Sequence, residues 1–124
     1  MSMIDAQQAS KEQVADLLDK TADWFDTHKW MRGDFFTKDR SAACAYGAMK
    51  IVGGVDKARA GDPEWSIRNE VVWEGREAFE KCLRKDYGPT AIGVYTWNDE
   101  QAKDKRTVQR ALRRCARRLR GGKS

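Results

Sequence analysis

The chain has one histidine, His28, and three cysteines, Cys44, Cys82 and Cys115, among its 124 residues. With so few His and Cys, the common metal and nucleophile constellations are hard to build. An odd set of widely separated cysteines fits a reducing cytosol with thiols in the core better than a disulfide framework. There is no Cys-x-x-Cys or His-x-x-x-His spacing, so a zinc site from the three cysteines and His28 lacks its usual scaffold. Cys44 as a nucleophile would have only His28 as its base. Gly53-Gly54 and Gly121-Gly122 lack the strand and lysine pattern of a phosphate-binding loop. The polar Met1–Gln13 does not read as a signal peptide, and no stretch approaches the length of apolar sequence needed to span a membrane. These absences predict a cytoplasmic protein with no membrane partner, cofactor, metal or catalytic residues.

What is present is charge, and it is unevenly placed. Lys103–Ser124 holds ten of the twenty-four Lys and Arg and one acid, Asp104, so this segment is +9 while the preceding residues sum to −4. Within it, Val108, Ala111, Leu112, Cys115, Ala116 and Leu119 recur at helical spacing, and Arg106, Arg110, Arg113, Arg114, Arg117 and Arg118 fall opposite. Arginine stays charged and pairs with phosphate in a bidentate fork, so this face predicts nucleic-acid binding. An acidic protein partner, a solvated helix face, and pairing with the chain's own acids are the competing readings. The apolar side carries no Trp or Phe to insert into a membrane surface.

Elsewhere the pattern is helical. Ser10 with Gln13 forms a capping box for a first helix ending near Thr27. An aromatic loop follows, His28–Phe36, with Gly33 permitting a turn. Ser41 or Asp39 caps a short second helix ending near Val52, in which Gly47 implies close packing. Asp62-Pro63 starts a long third helix that Gly88-Pro89 stops. Its expected buried stripe is Ile67, Val71, Gly75, Ala78, Phe79, Cys82 and Leu83, with Val72 and Trp73 on a flank. Thr90–Trp97 is the one β-like run and reads equally well as an ordered loop or a helical turn. The fourth helix occupies about Lys105–Arg120. The expected architecture is all-α: a single compact domain over residues 1–124, of about four helices with an aromatic-rich loop.

Two elements carry a resemblance. Trp30 to Gly33 precedes the Cys-x-x-Gly-Ala of Cys44–Ala48, and Trp97-Asn98-Asp99 precedes a helix opening with Thr107-Val108. In that order they resemble a family of small uncharacterised proteins from actinobacteria and their phages. The resemblance implies a mostly helical fold and a phage origin, and carries no activity. In Trp97-Asn98-Asp99 the residues predict a cap for the following turn, with Trp97 packed before it. The functional reading makes a candidate pocket of Trp30, Asp34, Trp97 and Asp99, where His28 and Asp34 would do acid–base work. The leading expectation remains a non-enzymatic protein that contacts nucleic acid through the arginine helix. The alternative is a host-interaction protein that binds and modulates an acidic bacterial protein.

Overall fold

A computed structural model of the protein describes residues 10–56, 63–88 and 93–121. These residues form five helices: α1 (Lys11–Trp24), α2 (Ala45–Val52), α3 (Pro63–Tyr87), α4 (Val94–Glu100) and α5 (Lys105–Leu119). Two two-residue strands, β1 (Lys29–Trp30) and β2 (Ala42–Ala43), pair in parallel, with Lys29 opposite Ala42 and Trp30 opposite Ala43. The described part is thus mostly helical, with one more helix than the pattern predicts.

The first helix starts as its residues dictate. Gln13 N–H donates to Ser10 Oγ at 3.0 Å, and Ser10 N–H donates back to Gln13 Oε1 at 2.9 Å. The helix ends at Trp24, and turns continue to Thr27. The most extensive helix contact in the molecule is α1 against α5. Leu17, Leu18 and Phe25 meet Leu112 and Val108 in a core that also takes in Met49, Phe79 and Trp97.

Several expectations are corrected. Neither Ser41 nor Asp39 caps α2: Ala42 and Ala43 are strand, and the cap is Cys44, whose Sγ accepts from Gly47 N–H at 3.3 Å. Thr37, Asp39 and Ser41 close a turn instead, and the Ser41 and Thr37 hydroxyls on Asp39 lower its carboxyl to about 2. The stripe of α3 is rotated from the expected one: Val72 is buried while Ile67 is 66% exposed. Helix α1 and Met49 of α2 meet α3 at Gly75, where a Cβ would lie 2.8 Å from Leu17, and this selects the Val72–Gly75–Phe79–Leu83 face. From Val94 onward the Thr90–Trp97 segment takes its helical alternative, and among the described residues no strand pairs with it. Asp62, the expected cap of α3, and Pro89 lie outside the described residues.

Cysteine usage differs as well. Cys82 of α3 and Cys115 of α5 are joined in a disulfide, with Cα atoms 5.8 Å apart, and only Cys44 is a free, buried thiol. Their separation of 33 residues hides the pairing in sequence, because it depends on α3 packing against α5. Closing a loop of that length stabilises a fold by about 4 kcal/mol. Reduction, or Cys115→Ser, is therefore expected to lower the thermal midpoint in a melt followed by circular dichroism, while Cys44→Ser leaves the response to reductant intact. A melt indifferent to reductant would contradict the bond.

Candidate functional site

The final helix is built to present its arginines in a fixed arrangement. Asp104 caps it, accepting from Thr107 N–H at 2.8 Å, and these contacts with Thr107 lower the Asp104 carboxyl below its ordinary value. Val108, Leu112 and Cys115 bury the inner face. Outward, the arginines divide into flanks and a ridge.

The flanks are tied to the protein's own acids. Arg113 pairs with Asp23 at 3.0 Å and Asp26 at 3.7 Å, both just C-terminal in or beyond α1. Arg114 at 3.2 Å and Arg118 at 2.6 Å converge on Asp86 of α3. Arg120 reaches Glu12, Asp16 and Asp19 along α1, and these carboxylates hold its guanidinium above its ordinary value. The reading in which the arginines meet the chain's own acids is therefore the right one for Arg113, Arg114 and Arg118.

Burial by itself would raise the Asp86 carboxyl, but the hydrogen bonds from Arg118 and Arg114 outweigh it, so the net shift is downward. A depressed carboxyl stabilises the fold above its unfolded value and loses that contribution as pH falls through the folded value. The melting temperature should accordingly hold near neutrality and drop below about pH 4. Asp86→Asn should differ from the parent at neutral pH and converge on it in acid. A constant difference down to the lowest pH would contradict the assignment.

The ridge comprises Arg106, Arg110 and Arg117. All three are exposed, and among the described residues none has an ion pair, although Asp104 lies close enough to feel Arg110 and Arg106. From Arg106 to Arg117 the ridge runs about 16 Å along the helix. Arg110 stands between two clefts. One, of about 430 Å³, is walled by Phe25, Asp26, Lys105, Arg106 and Arg113. The other, of about 330 Å³, is walled by Tyr87, Lys103, Thr107 and Arg114.

The members of the second candidate, Trp30, Asp34, Trp97 and Asp99, take separate partners. Trp97 is fully buried and packs edge-on to Phe79 and Tyr87. Asp34 accepts from Phe35 N–H at 2.7 Å, and Asp99 accepts from Gly33 N–H at 3.1 Å. Nor does Trp97-Asn98-Asp99 cap the next helix, since it lies inside α4. The residue that organises this region is Asn98, whose side chain faces inward rather than capping a turn. Its Oδ1 accepts from Trp30 Nε1 at 2.6 Å and from Ala45 N–H at 3.0 Å, and its Nδ2 donates to Met31 O at 3.0 Å. Asparagine is disfavoured inside helices, so one in mid-helix signals a tertiary partner. Arg32 completes the clamp, stacking 4.5 Å over Trp30 and donating to Ala102 O at 2.6 Å.

His28 and Asp34 share no contact: the imidazole stacks on Trp24 at 3.9 Å, with Nδ1 2.7 Å from Trp24 O. Cys44 spends its sulfur on the helix cap, and burial raises its thiol. Among the described residues no group of three or more His, Cys, Asp or Glu converges in a way that could hold a metal ion, and no helix is long and apolar enough to cross a membrane.

Comparison with known proteins gives a local similarity to a xylose isomerase of Lactococcus lactis subsp. cremoris (strain SK11), 35% identical over 78 residues. The matched segment is 63% of this chain and 19% of that protein, so the chain spans less than a fifth of this relative's length. No solved structure matches. The family model of DUF6197, a family of unknown function, matches residues 9–118, which takes in α1 through most of α5 with the Asn98 clamp between them, and the chain belongs to that family.

Proposed function

We propose that this is a non-enzymatic, phage-derived protein that binds nucleic acid through the arginine ridge of α5. One observation carries the reading: among the described residues, Arg106, Arg110 and Arg117 stand exposed without ion pairs on a helix whose flanking arginines pair with acids of α1 and α3. The buried inner face of α5 fixes the ridge, so binding does not require the helix to be ordered first. Phosphates along a backbone would meet the three guanidiniums, and the adjoining clefts with Lys103 and Lys105 would take neighbouring phosphates. The resemblance of the Cys44–Ala48 and Trp97–Asp99 elements to small proteins of actinobacteria and their phages supports the phage context. On the ridge, an acidic host protein is the competing occupant.

With three or four phosphates neutralised, the logarithm of affinity should fall with the logarithm of salt at a slope of about −3. Fluorescence anisotropy with labelled duplex and single-stranded oligonucleotides measures this directly. A triple variant, Arg106→Glu, Arg110→Glu and Arg117→Glu, should bind at least about tenfold more weakly with no change in melting temperature. Absence of binding at low salt would overturn the reading.

A further inference from the structure

A second group of side chains, some exposed and some half-buried, lies together on the surface away from α5. Tyr95 of α4, Phe35 of the aromatic loop and Tyr46 of α2 form an edge-to-face chain, with ring centres 5.5 Å and 5.7 Å apart. Arg76 of α3 extends it, its guanidinium 5.9 Å from the Tyr46 ring and 4.2 Å from the Trp73 ring. Lys50 Nζ lies 4.7 Å over Phe35 and 5.0 Å over Tyr46. Phe35, Trp73 and Tyr95 are 39%, 47% and 38% exposed. The patch thus draws on four parts of the chain and none of α5.

Its charge is unsatisfied at one end. Among the described residues neither Lys50 nor Arg76 has an ion pair, and Arg76 Nε is buried without a hydrogen-bond partner. Glu80 also bears on Tyr46 beside Arg76, but its carboxylate is engaged by Val94 N–H at 3.0 Å. At the other end, Asp99 and Asp34 bear electrostatically on Tyr95. A ligand that fits this gradient is acidic toward Lys50 and Arg76 and apolar over Phe35 and Trp73. Stacked bases need open ring faces. Here Phe35, Tyr46 and Trp73 each carry a cation of the chain over a face, and Phe35 is wedged between two tyrosines. Rigid aromatics with an unpaired arginine are instead the side chains that dominate protein–protein binding.

We propose that the surface formed by Phe35, Tyr46, Trp73 and Tyr95 with Lys50 and Arg76 docks an acidic protein segment, its carboxylates reaching the two cations and an apolar side chain covering Trp73 and Phe35. This surface is independent of the α5 ridge, and either proposal stands if the other fails.

The test is a titration of the full-length, isotope-labelled protein followed by nitrogen–proton correlation spectra. The probe is a short synthetic peptide alternating Glu and Asp with Leu and Phe, with its Gln/Asn counterpart and an oligothymidine as comparisons. The expected result is saturable shifts at the Trp73 indole and at the amides of Phe35, Tyr46, Lys50, Arg76 and Tyr95. The uncharged peptide should bind at least about tenfold more weakly. Trp73→Ala should abolish the shifts, as should Lys50→Glu, which removes no packing from the core. Arg110→Glu should leave them unchanged. No saturable shift at millimolar peptide, shifts confined to α5, or oligothymidine moving the patch more strongly than the peptide would each overturn the proposal.

Discussion

Replacing Gly47 with alanine is expected to destabilise the protein by about 4 kcal/mol or more, beyond the usual cost of overpacking a core. A Cβ at this position would lie 1.7 Å from the Phe35 carbonyl oxygen and 2.4 Å from its carbon. Both are backbone atoms, so no side chain can swing aside. The carbonyl cannot easily retreat either, because it accepts Cys44 N–H at 2.9 Å at the point where Cys44 caps α2. The Cys-x-x-Gly-Ala element therefore has a physical reading. Cys44 starts the helix, Gly47 admits the aromatic loop, and Ala48 is fully buried beneath it. Gly33 is a useful contrast, since its φ of 86° disfavours a side chain but no atom lies within 4 Å of an added Cβ. Gly33→Ala should cost only about 1 kcal/mol, for backbone strain alone. Urea unfolding of both variants checks the pair. Near-equal midpoints would mean that the loop does not sit on α2 as described.

The second large effect is expected at Asn98. Asn98→Ala leaves the Trp30 indole N–H, the Ala45 N–H and the Met31 carbonyl without their partner at once. A buried group left unsatisfied costs about 1–3 kcal/mol, so together with the lost volume the variant should lose about 4 kcal/mol. Asp is nearly isosteric but offers no N–H₂, so Asn98→Asp should also be damaging, through the Met31 carbonyl and a buried charge beside Asp99. The Trp30 indole resonance reports the clamp directly, and in Asn98→Ala it should move toward its unfolded position before global melting. A mild variant with an unmoved indole would contradict the clamp.

How far the sequence reveals this molecule varies with the range of the interaction. The Ser10–Gln13 box and the end of α3 at Tyr87 before Gly88 are local and follow from residue order. The inner face of α5 is legible for the same reason, because its apolar spacing is helical from Val108 to Leu119. The division of its arginines is not. The partners Asp23 and Asp86 lie far back in the chain, and nothing local separates Arg113 or Arg118 from Arg110. The Cys82–Cys115 bond and the Asn98 clamp are hidden likewise, each depending on how two distant segments pack. Trp-Asn-Asp stands out as a motif, yet its residues also make a plausible cap, so its inward-facing role emerges only when α4 is seen to be a helix.

The central claim is that α5 uses its arginines in two ways, the flanks to hold the fold and the ridge to bind phosphate. Two triple variants measured side by side test it most directly, by melting temperature and by salt-dependent anisotropy with a labelled oligonucleotide. The account predicts that changing Arg106, Arg110 and Arg117 to Glu weakens binding and leaves the melt unchanged. Changing Arg113, Arg114 and Arg118 to Gln should lower the melt and weaken the binding of the folded protein by much less than the ridge variant does. Equal losses of binding in both variants, or loss of stability in the ridge variant, would contradict the division.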